Sequence, residues 1–365
     1  MTSIKARIRQ RLKETDWVYA LKTRLTDKDY ISGKKEARHS TKPASQMRRE
    51  MKMLRDYWGV TPVQYYIYRL ANRNLTDEEL LDYIPSAYFY NTFFHGAYTP
   101  EQFRRLSSKL ELYRLFTGRG VPTPEVVALI EGGTPHAAPG RSDTPDLEQL
   151  FKTGERIFFK PDDGKGGSGI LAAERTAGGW MCDGREMTTR ELLSHLSARV
   201  LYVVQKGLTQ HPALNAINSS SINTLRIVMQ RDDSGLRIAA AALRMGRDKK
   251  FVDNSAQGGV SVFIDPDTGA FAPMAYTEHT HEQFEAHPDS RFRFAGAAIP
   301  GWARVRAAII DASERFPELR NWAWDVALLP DGNICMIELN PWYGIEHLQC
   351  TAGGMRRRLR VYPRP

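Results

Sequence analysis

Through the first 118 residues apolar positions recur every three or four places with polar ones between them, a helical period. "LTDEEL" offers Thr76 as a cap with Glu79 placed to reach back, and "YTPEQF" sets Thr99, Pro100 and Gln102 at cap, first-turn and capping-box positions. From there one helix is predicted through Phe103, Leu106, Leu110, Tyr113 and Phe116, with Lys109 at the edge of its buried face, ending in the glycines of "TGRGVPTP". After Gly120 the texture changes. Runs rich in β-branched residues, "PEVVALI", "RIFFKP", "LYVVQKG", "NTLRIVMQ", "LRIAAAALRM", "GVSVFID", "WDVALL" and "ICMIELN", alternate with Gly, Pro and Asp turns and predict strands. "TTRELLSHLSARV" and "WARVRAAIIDASERF" keep a helical period, so the body is mixed α+β. "GGTPHAAPGRSDTPD", residues 132–146, has the composition of a surface loop, and no internal repeat is present.

The segment "WAWDVALLPDGNICMIELNPW" predicts two strands around the turn Pro330-Asp331-Gly332-Asn333. With Leu329 facing Ile334, Asp325 falls directly across from Glu338, and Asn340 follows on the same face. Adjacent carboxylates repel unless one is protonated or a cation lies between them. An Asp, Glu and Asn set offers only oxygen, which suits Mg²⁺ sharing its other positions with water and nucleotide phosphates and does not suit zinc. A solvated acidic strand pair is the competing reading, against which Val326, Ile337 and Leu339 argue for a buried hairpin.

"FFKPDDGKGGSGI", residues 158–170, hangs a glycine-rich loop behind a lysine. It is not a Walker A loop, because the lysine of "GKGGSG" is followed by Gly, and "ILAAERTAGGW" downstream reads as strand and turn rather than helix. The loop therefore joins two strands. Lys160 alternates with Phe159 and points away from the Ile157 and Phe159 face, where its ammonium can meet a phosphate while loop N–H groups close over others. The lack of HRD and DFG sequences argues against the protein-kinase version of such a hairpin.

A strand lysine, a glycine-rich hairpin, then a distant acid and Glu-x-Asn on paired strands resembles the ATP-grasp superfamily. More narrowly, "SSKLELYRLFTGRGVPTPEVV", "VVQKGLTQHPALNAINSSSINTLRI", "LRMGR", "DNSAQGGVSVFID" and "WDVALLPDGNICMIELNPW" resemble the sugar-transfer-associated ATP-grasp subfamily, related to α-L-glutamate ligases, over roughly residues 105–350. The resemblance implies an α+β ATP-grasp fold, two subdomains gripping ATP behind a helical N-terminal region, with boundaries at 1–104, 105–205 and 206–365. It further implies that Lys109 and Lys160 hold ATP phosphates, that Gly164, Gly166, Gly167, Ser168 and Gly169 form a lid, and that Gln205, Lys206 and Leu208 line the adenine pocket. A glutamate is common in the family where Gln205 stands. Asp325, Glu338 and Asn340 would hold Mg²⁺, as two ions. Arg226 and Arg244 would face the transferred phosphate or the acid, though surface arginines on strands are the other reading. Asn254, Gly258 and Gly259 would bring backbone close to a ligand, and Glu346 and His347 would reach an acceptor. The implied activity is an ATP-dependent carboxylate–amine ligase acting through an acyl phosphate on a small-molecule acid and amine. A sugar acid or amino acid in polysaccharide or secondary-metabolite assembly is the implied substrate. A kinase on the same fold and a non-catalytic nucleotide-responsive adaptor are the alternatives.

Charge adds one feature. The chain carries +9, and residues 1–60 hold 16 Lys and Arg against 7 Asp and Glu. Ile4, Ile8 and Leu12 lie at helical spacing among Lys5, Arg7, Arg9, Arg11 and Lys13, ahead of Trp17, a pattern that fits an anionic membrane surface or a solvated helix face. No zinc-finger or RRM pattern accompanies it, so nucleic acid is not an expected partner. Cys182, Cys335 and Cys350 have neither zinc nor CxxC spacing and read as core residues of a reducing cytoplasm. The start lacks a continuous apolar run, and no stretch reaches the roughly 18 apolar residues of a span, so a cytoplasmic location is expected. "HTHEQFEAH" carries His279, His281 and His287 without a completing ligand and reads as a mobile loop.

Overall fold

A computed structural model describes residues 16–164, 168–248, 258–278 and 281–363; Gly166, Gly167, Asn254 and His279 lie outside them. The chain builds two antiparallel seven-stranded sheets behind a run of helices. The first sheet consists of β1 (Val126–Glu131), β2 (Thr134–Ala137), β3 (Arg156–Pro161), β4 (Leu171–Arg175), β5 (Trp180–Cys182), β6 (Arg185–Met187) and β7 (Tyr202–Lys206), in the order β2-β1-β7-β3-β4-β5-β6. The second consists of β8 (Thr224–Asp232), β9 (Gly235–Met245), β10 (Val260–Ile264), β11 (Phe271–Thr277), β12 (Gln283–Phe284), β13 (Asn321–Leu328) and β14 (Ile334–Asn340), in the order β12-β11-β10-β9-β8-β13-β14.

All eight apolar runs that predicted strands form them. The loop expected over 132–146 instead begins with β2, whose His136 and Pro135 pair with Leu129 and Ile130; its half-exposed alternation lacks the β-branched density that marks a strand in sequence. "HTHEQFEAH" is likewise no free loop in its described part. Gln283 and Phe284 pair with β11, and His287 is buried with Nε2 donating to the Gly246 carbonyl at 2.9 Å. The "TTRELLSHLSARV" helix is short, Thr189–Ser194, whereas Trp302–Glu314 forms in full.

The second sheet is covered on both faces. Trp322, Trp324, Leu225, Ile227 and Leu243 pack under helix Trp302–Glu314, through Val305 and Ile309. The opposite face presents Ala239, Ala240, Ala242, Val228 and Ala323 to a core with Trp58, Tyr65, Tyr68 and Phe89 of the front helices. Methyl side chains on the sheet let those helices approach closely, and so "AAAAL" is alanine where a strand ordinarily prefers larger residues. Arg356 fastens the front helices to the end of the chain through Asp82 at 3.0 Å and Glu78 at 2.6 Å. The first sheet packs one face on Leu147, Phe151, Leu192 and Leu196 and turns the other toward the second sheet. All three cysteines are free and buried, as expected of core residues.

Candidate active site

On the alanine face of the second sheet the side chains change character toward one end of the strands. Val228 gives way to Arg226 on β8, Ala242 to Arg244 on β9, and Ala323 to Asp325 on β13. The ladder sets Asp325 beside Arg226 on one side and Glu338 on the other. The expected opposition of the two carboxylates is present, but by a different route from the one the turn suggested. Gly332, at φ 78°, closes a tighter turn in which Leu329 N–H donates to the Asn333 carbonyl at 2.8 Å, so Leu328 and not Leu329 faces Ile334. That one-residue offset is cancelled by a bulge between Asp325 and Val326 pairings, which leaves Ile337 unpaired. The bulge also corrects the expectation that Ile337 is a core residue: it lines the cavity next to Glu338.

Asp325 is almost fully enclosed. Arg226 donates to it twice, Nε to Oδ1 at 2.5 Å and Nη2 to Oδ2 at 3.1 Å, while Arg244 Nη1 and Asn340 Nδ2 reach Oδ2 at 3.4 and 3.3 Å. Burial is the largest single influence on its carboxyl and opposes ionisation; the two guanidiniums together outweigh it and hold the carboxyl below its ordinary value. Glu338 goes the other way. Burial first and the Asp325 charge second push its carboxyl up, against the pull of Lys109, Arg226 and Lys160. It makes no hydrogen bond to a described residue. A half-buried carboxylate with raised proton affinity beside an ionised one gains from a hard cation, and with Asn340 the side chains offer oxygen ligands only, so these residues fit magnesium.

The opposite wall comes from the first sheet and one helix. Ile157 and Phe159 of β3 are fully buried, so Phe158 and Lys160 face the cavity, as the alternation predicted. The helix expected to run unbroken from Pro100 divides into Pro100–Ser107 and Lys109–Gly118. Ser108, in extended conformation, caps the second by accepting from Glu111 N, and donates Oγ to Asp162 at 2.9 Å. Asp162 also accepts from Leu110 N at 2.8 Å, so the carboxylate behind Lys160 draws in the helix start. Lys109 is thereby the first residue of a helix pointed at the glycine hairpin, its Nζ on the Gly164 carbonyl at 2.5 Å. The capping boxes at Thr76/Glu79 and Thr99/Gln102 both form.

Together these elements enclose about 260 Å³. Lys109, Lys160, Gly164, Ser168, Gln205, Lys206, Leu208, Arg226, Arg244, Asp325, Glu338 and Asn340 all line it. The Lys206 ammonium, however, is engaged by Glu155 at 2.7 Å. Gln205 is buried between Val126 and Phe158, and its Oε1 has no hydrogen-bond partner among the described residues. Gly169 shapes the hairpin end at φ 73°. Gly258 and Gly259 stand outside the lining, the former, at φ 89°, beside Arg247. Glu346 is also outside it, accepting from Ser86 Oγ at 2.7 Å and Tyr90 Oη at 2.9 Å. His347 is buried, its imidazole held neutral by burial and then by Arg226 and Arg244, with Nε2 unpartnered among the described residues. Sequence reasoning missed the apolar walls, Leu112, Phe116, Phe158, Ile170 and Ile222. Helical periodicity marks Phe116 only as a core position, and Ile222 follows a serine run with no periodicity to mark it. Among the described residues no three His, Cys, Asp or Glu gather as metal ligands, and His281, pushed down to about 4 by burial, lies against Cys350 Sγ at 3.8 Å.

The sequence matches the family described as sugar-transfer associated ATP-grasp over residues 88–361. The chain belongs to that family. Its α+β ATP-grasp fold, with helices ahead of the sheets, is the architecture the motifs implied. Solved structures similar to this ATP-grasp chain include carboxyaminoimidazole ribonucleotide synthase from Aspergillus clavatus complexed with ATP, at 11% identity and a TM-score of 0.39, covering 72% of this chain and 53% of that one. D-alanyl-alanine synthetase A from Vibrio cholerae has 12% identity, a TM-score of 0.38 and coverage of 70% and 61%. The ATP-grasp ligase PsnB with its precursor peptide and AMPPNP has 15% identity, a TM-score of 0.31 and coverage of 67% and 52%. The chain spans about half to three-fifths of the length of these proteins, and the family assignment rests on the sequence match. No curated protein matched.

Proposed function

We propose that this ATP-grasp protein is an ATP-dependent carboxylate–amine ligase. The observation that carries the reading is one cavity with the ammonium groups of Lys109 and Lys160 on one wall and the Asp325–Glu338 pair, flanked by Arg226 and Arg244, on the other. Phe158, Ile170 and Leu208 offer apolar surface to an adenine, and Gln205 offers its unpartnered Oε1 to an exocyclic amine. Lys109 and Lys160 hold the phosphates, with Ser168 and the hairpin N–H groups closing over them. Glu338, Asp325 and Asn340 would hold magnesium, which would supply charge neutralisation on the phosphate oxygens.

In this reading a substrate carboxylate oxygen attacks the γ-phosphorus and the bond to the ADP oxygen breaks. The amine then attacks the acyl carbon, the phosphate leaves, and the amine surrenders its proton. Arg226 and Arg244, locked in place by Asp325, stabilise charge on the moving phosphoryl group at little reorganisation cost. No nucleophilic side chain is needed. The substrates are a small-molecule acid and amine, with His347, near Arg226 and Arg244, on the acceptor side. Hydroxylamine, offered as the amine with ATP, magnesium and a panel of sugar acids and amino acids, tests the reading. Hydroxamate formed in step with ADP is the expected result. ATP consumption that yields a stable phosphorylated product and no hydroxamate would show a kinase instead.

A further inference from the structure

Seven large apolar side chains stand exposed among the described residues, and four of them, Trp17, Leu21, Leu25 and Ile31, lie on the first two helices, Asp16–Thr26 and Lys28–Glu36. Trp17, Leu21 and Leu25 recur at every fourth position and form one stripe, 61%, 49% and 69% exposed, while Ala20 and Thr23 occupy the inward side. Charge on these helices is sorted by sign. Asp16 is taken by Thr61 N and Oγ1 at 3.0 and 2.7 Å, Asp27 caps Tyr30 N at 2.9 Å, and Glu36 accepts from Arg69 Nε at 2.9 Å. Lys22, Arg24, Lys28, Lys34 and Lys35 are all exposed, and none forms an ion pair with a described residue. The stripe is therefore flanked by positive charge; of the remaining acids Asp29 is half-buried, and Glu36, though exposed, is paired with Arg69.

We infer that this surface docks the protein on an anionic lipid bilayer, with the Trp17–Leu21–Leu25 stripe at the acyl boundary and the flanking Lys and Arg at the headgroups. Interfacial helices bind by that combination of apolar area and positive rim. A second copy of the chain is a poor occupant, because self-association would set like charges against one another. The preceding residues 1–15 add Lys5, Arg7, Arg9, Arg11 and Lys13 against the one acid Glu14, the same sign again. The contact is peripheral, since no helix among the described residues is long and apolar enough to cross a membrane.

Co-sedimentation of the full chain tests this, using vesicles of phosphatidylcholine alone and of phosphatidylcholine and phosphatidylglycerol in equal parts. The expected result is binding to the anionic vesicles that weakens with salt and falls about tenfold or more in Trp17→Ala/Leu21→Ala/Leu25→Ala. The triple variant removes only exposed side chains, and its thermal unfolding is expected to match wild type. Lys22→Gln/Arg24→Gln/Lys28→Gln should lose the preference for the anionic vesicles. The inference is overturned by no binding beyond that to neutral vesicles or by undiminished binding of the apolar triple variant. A self-association in the ultracentrifuge that the same variant abolishes would overturn it too.

Discussion

The two sheets that meet at the cavity are built to opposite specifications. In the second, β13 is buried at nearly every position, with the front helices on one face and helix Trp302–Glu314 on the other. In the first, β3 alternates between buried and half-buried residues, and its cavity face is closed only by a small cluster, Leu110, Val126, Ala138 and Val203. The carboxylate pair sits on the doubly covered sheet, where Asp325 is held by Arg226, Arg244 and Asn340. The strands that flank the glycine hairpin, β3 and β4, belong to the first sheet. On the proposed reading, the cation-holding carboxylates and the phosphate-holding lysines are thus assigned to different cores.

The sharpest way to break that contrast is Glu338→Gln. Turnover should fall on the order of 10²–10³-fold, as when a preorganised charge partner is removed from a transition state, with the fold intact by circular dichroism. The same variant carries a pH signature. The folded protein holds the Glu338 proton more tightly than the unfolded chain does, so without metal its contribution favours the folded state at low pH and is lost as pH rises through the folded value. Above the ordinary 4.5, the metal-free variant should therefore melt higher than wild type, and the gap should close on acidification. Asp325 has the opposite sign, supporting the fold above its ordinary 3.8 and ceasing to do so as pH falls.

Arg226→Met comes next. It strips the twofold grip from an Asp325 side chain only 8% exposed and should cost about 3 kcal/mol in denaturant unfolding. Lys160→Ala, on the other sheet, should leave unfolding nearly unchanged while raising KM for ATP about tenfold, the worth of one charge-assisted phosphate contact. The smallest effect is expected at Gly169→Ala. With φ at 73° and the new Cβ 3.1 Å from Pro161 Cγ, it should cost about 1 kcal/mol and a few-fold in KM. An Arg226 variant as stable as wild type, or a Lys160 variant that unfolds early, would dissolve the division of labour between the sheets.

The Asp325–Glu338 opposition was legible from the sequence because face alternation and a Gly-containing turn constrain it strongly. Yet the agreement depends on two offsets, a tighter turn and the Ile337 bulge, that no local pattern announces. Capping boxes and the outward face of Lys160 were legible because each is decided within a few residues. The break at Ser108 was not, since its cause is Asp162, distant in sequence and brought near only by the packing of helix on hairpin. The alanines of β9 were legible as strand but not as a landing place for helices, which only the second covered face explains. The apolar walls of the cavity have no local signature either: Phe116 and Ile222 belong to elements that share no sequence register.

The most direct test of the opposed carboxylates as a cation site is a Mn²⁺ titration followed by electron paramagnetic resonance, with a non-hydrolysable ATP analogue present. Wild-type protein should bind Mn²⁺ in a nucleotide-dependent manner, and Glu338→Gln should bind it at least about tenfold more weakly, a loss of about 1.4 kcal/mol. Equal Mn²⁺ affinity in the two proteins would contradict the account.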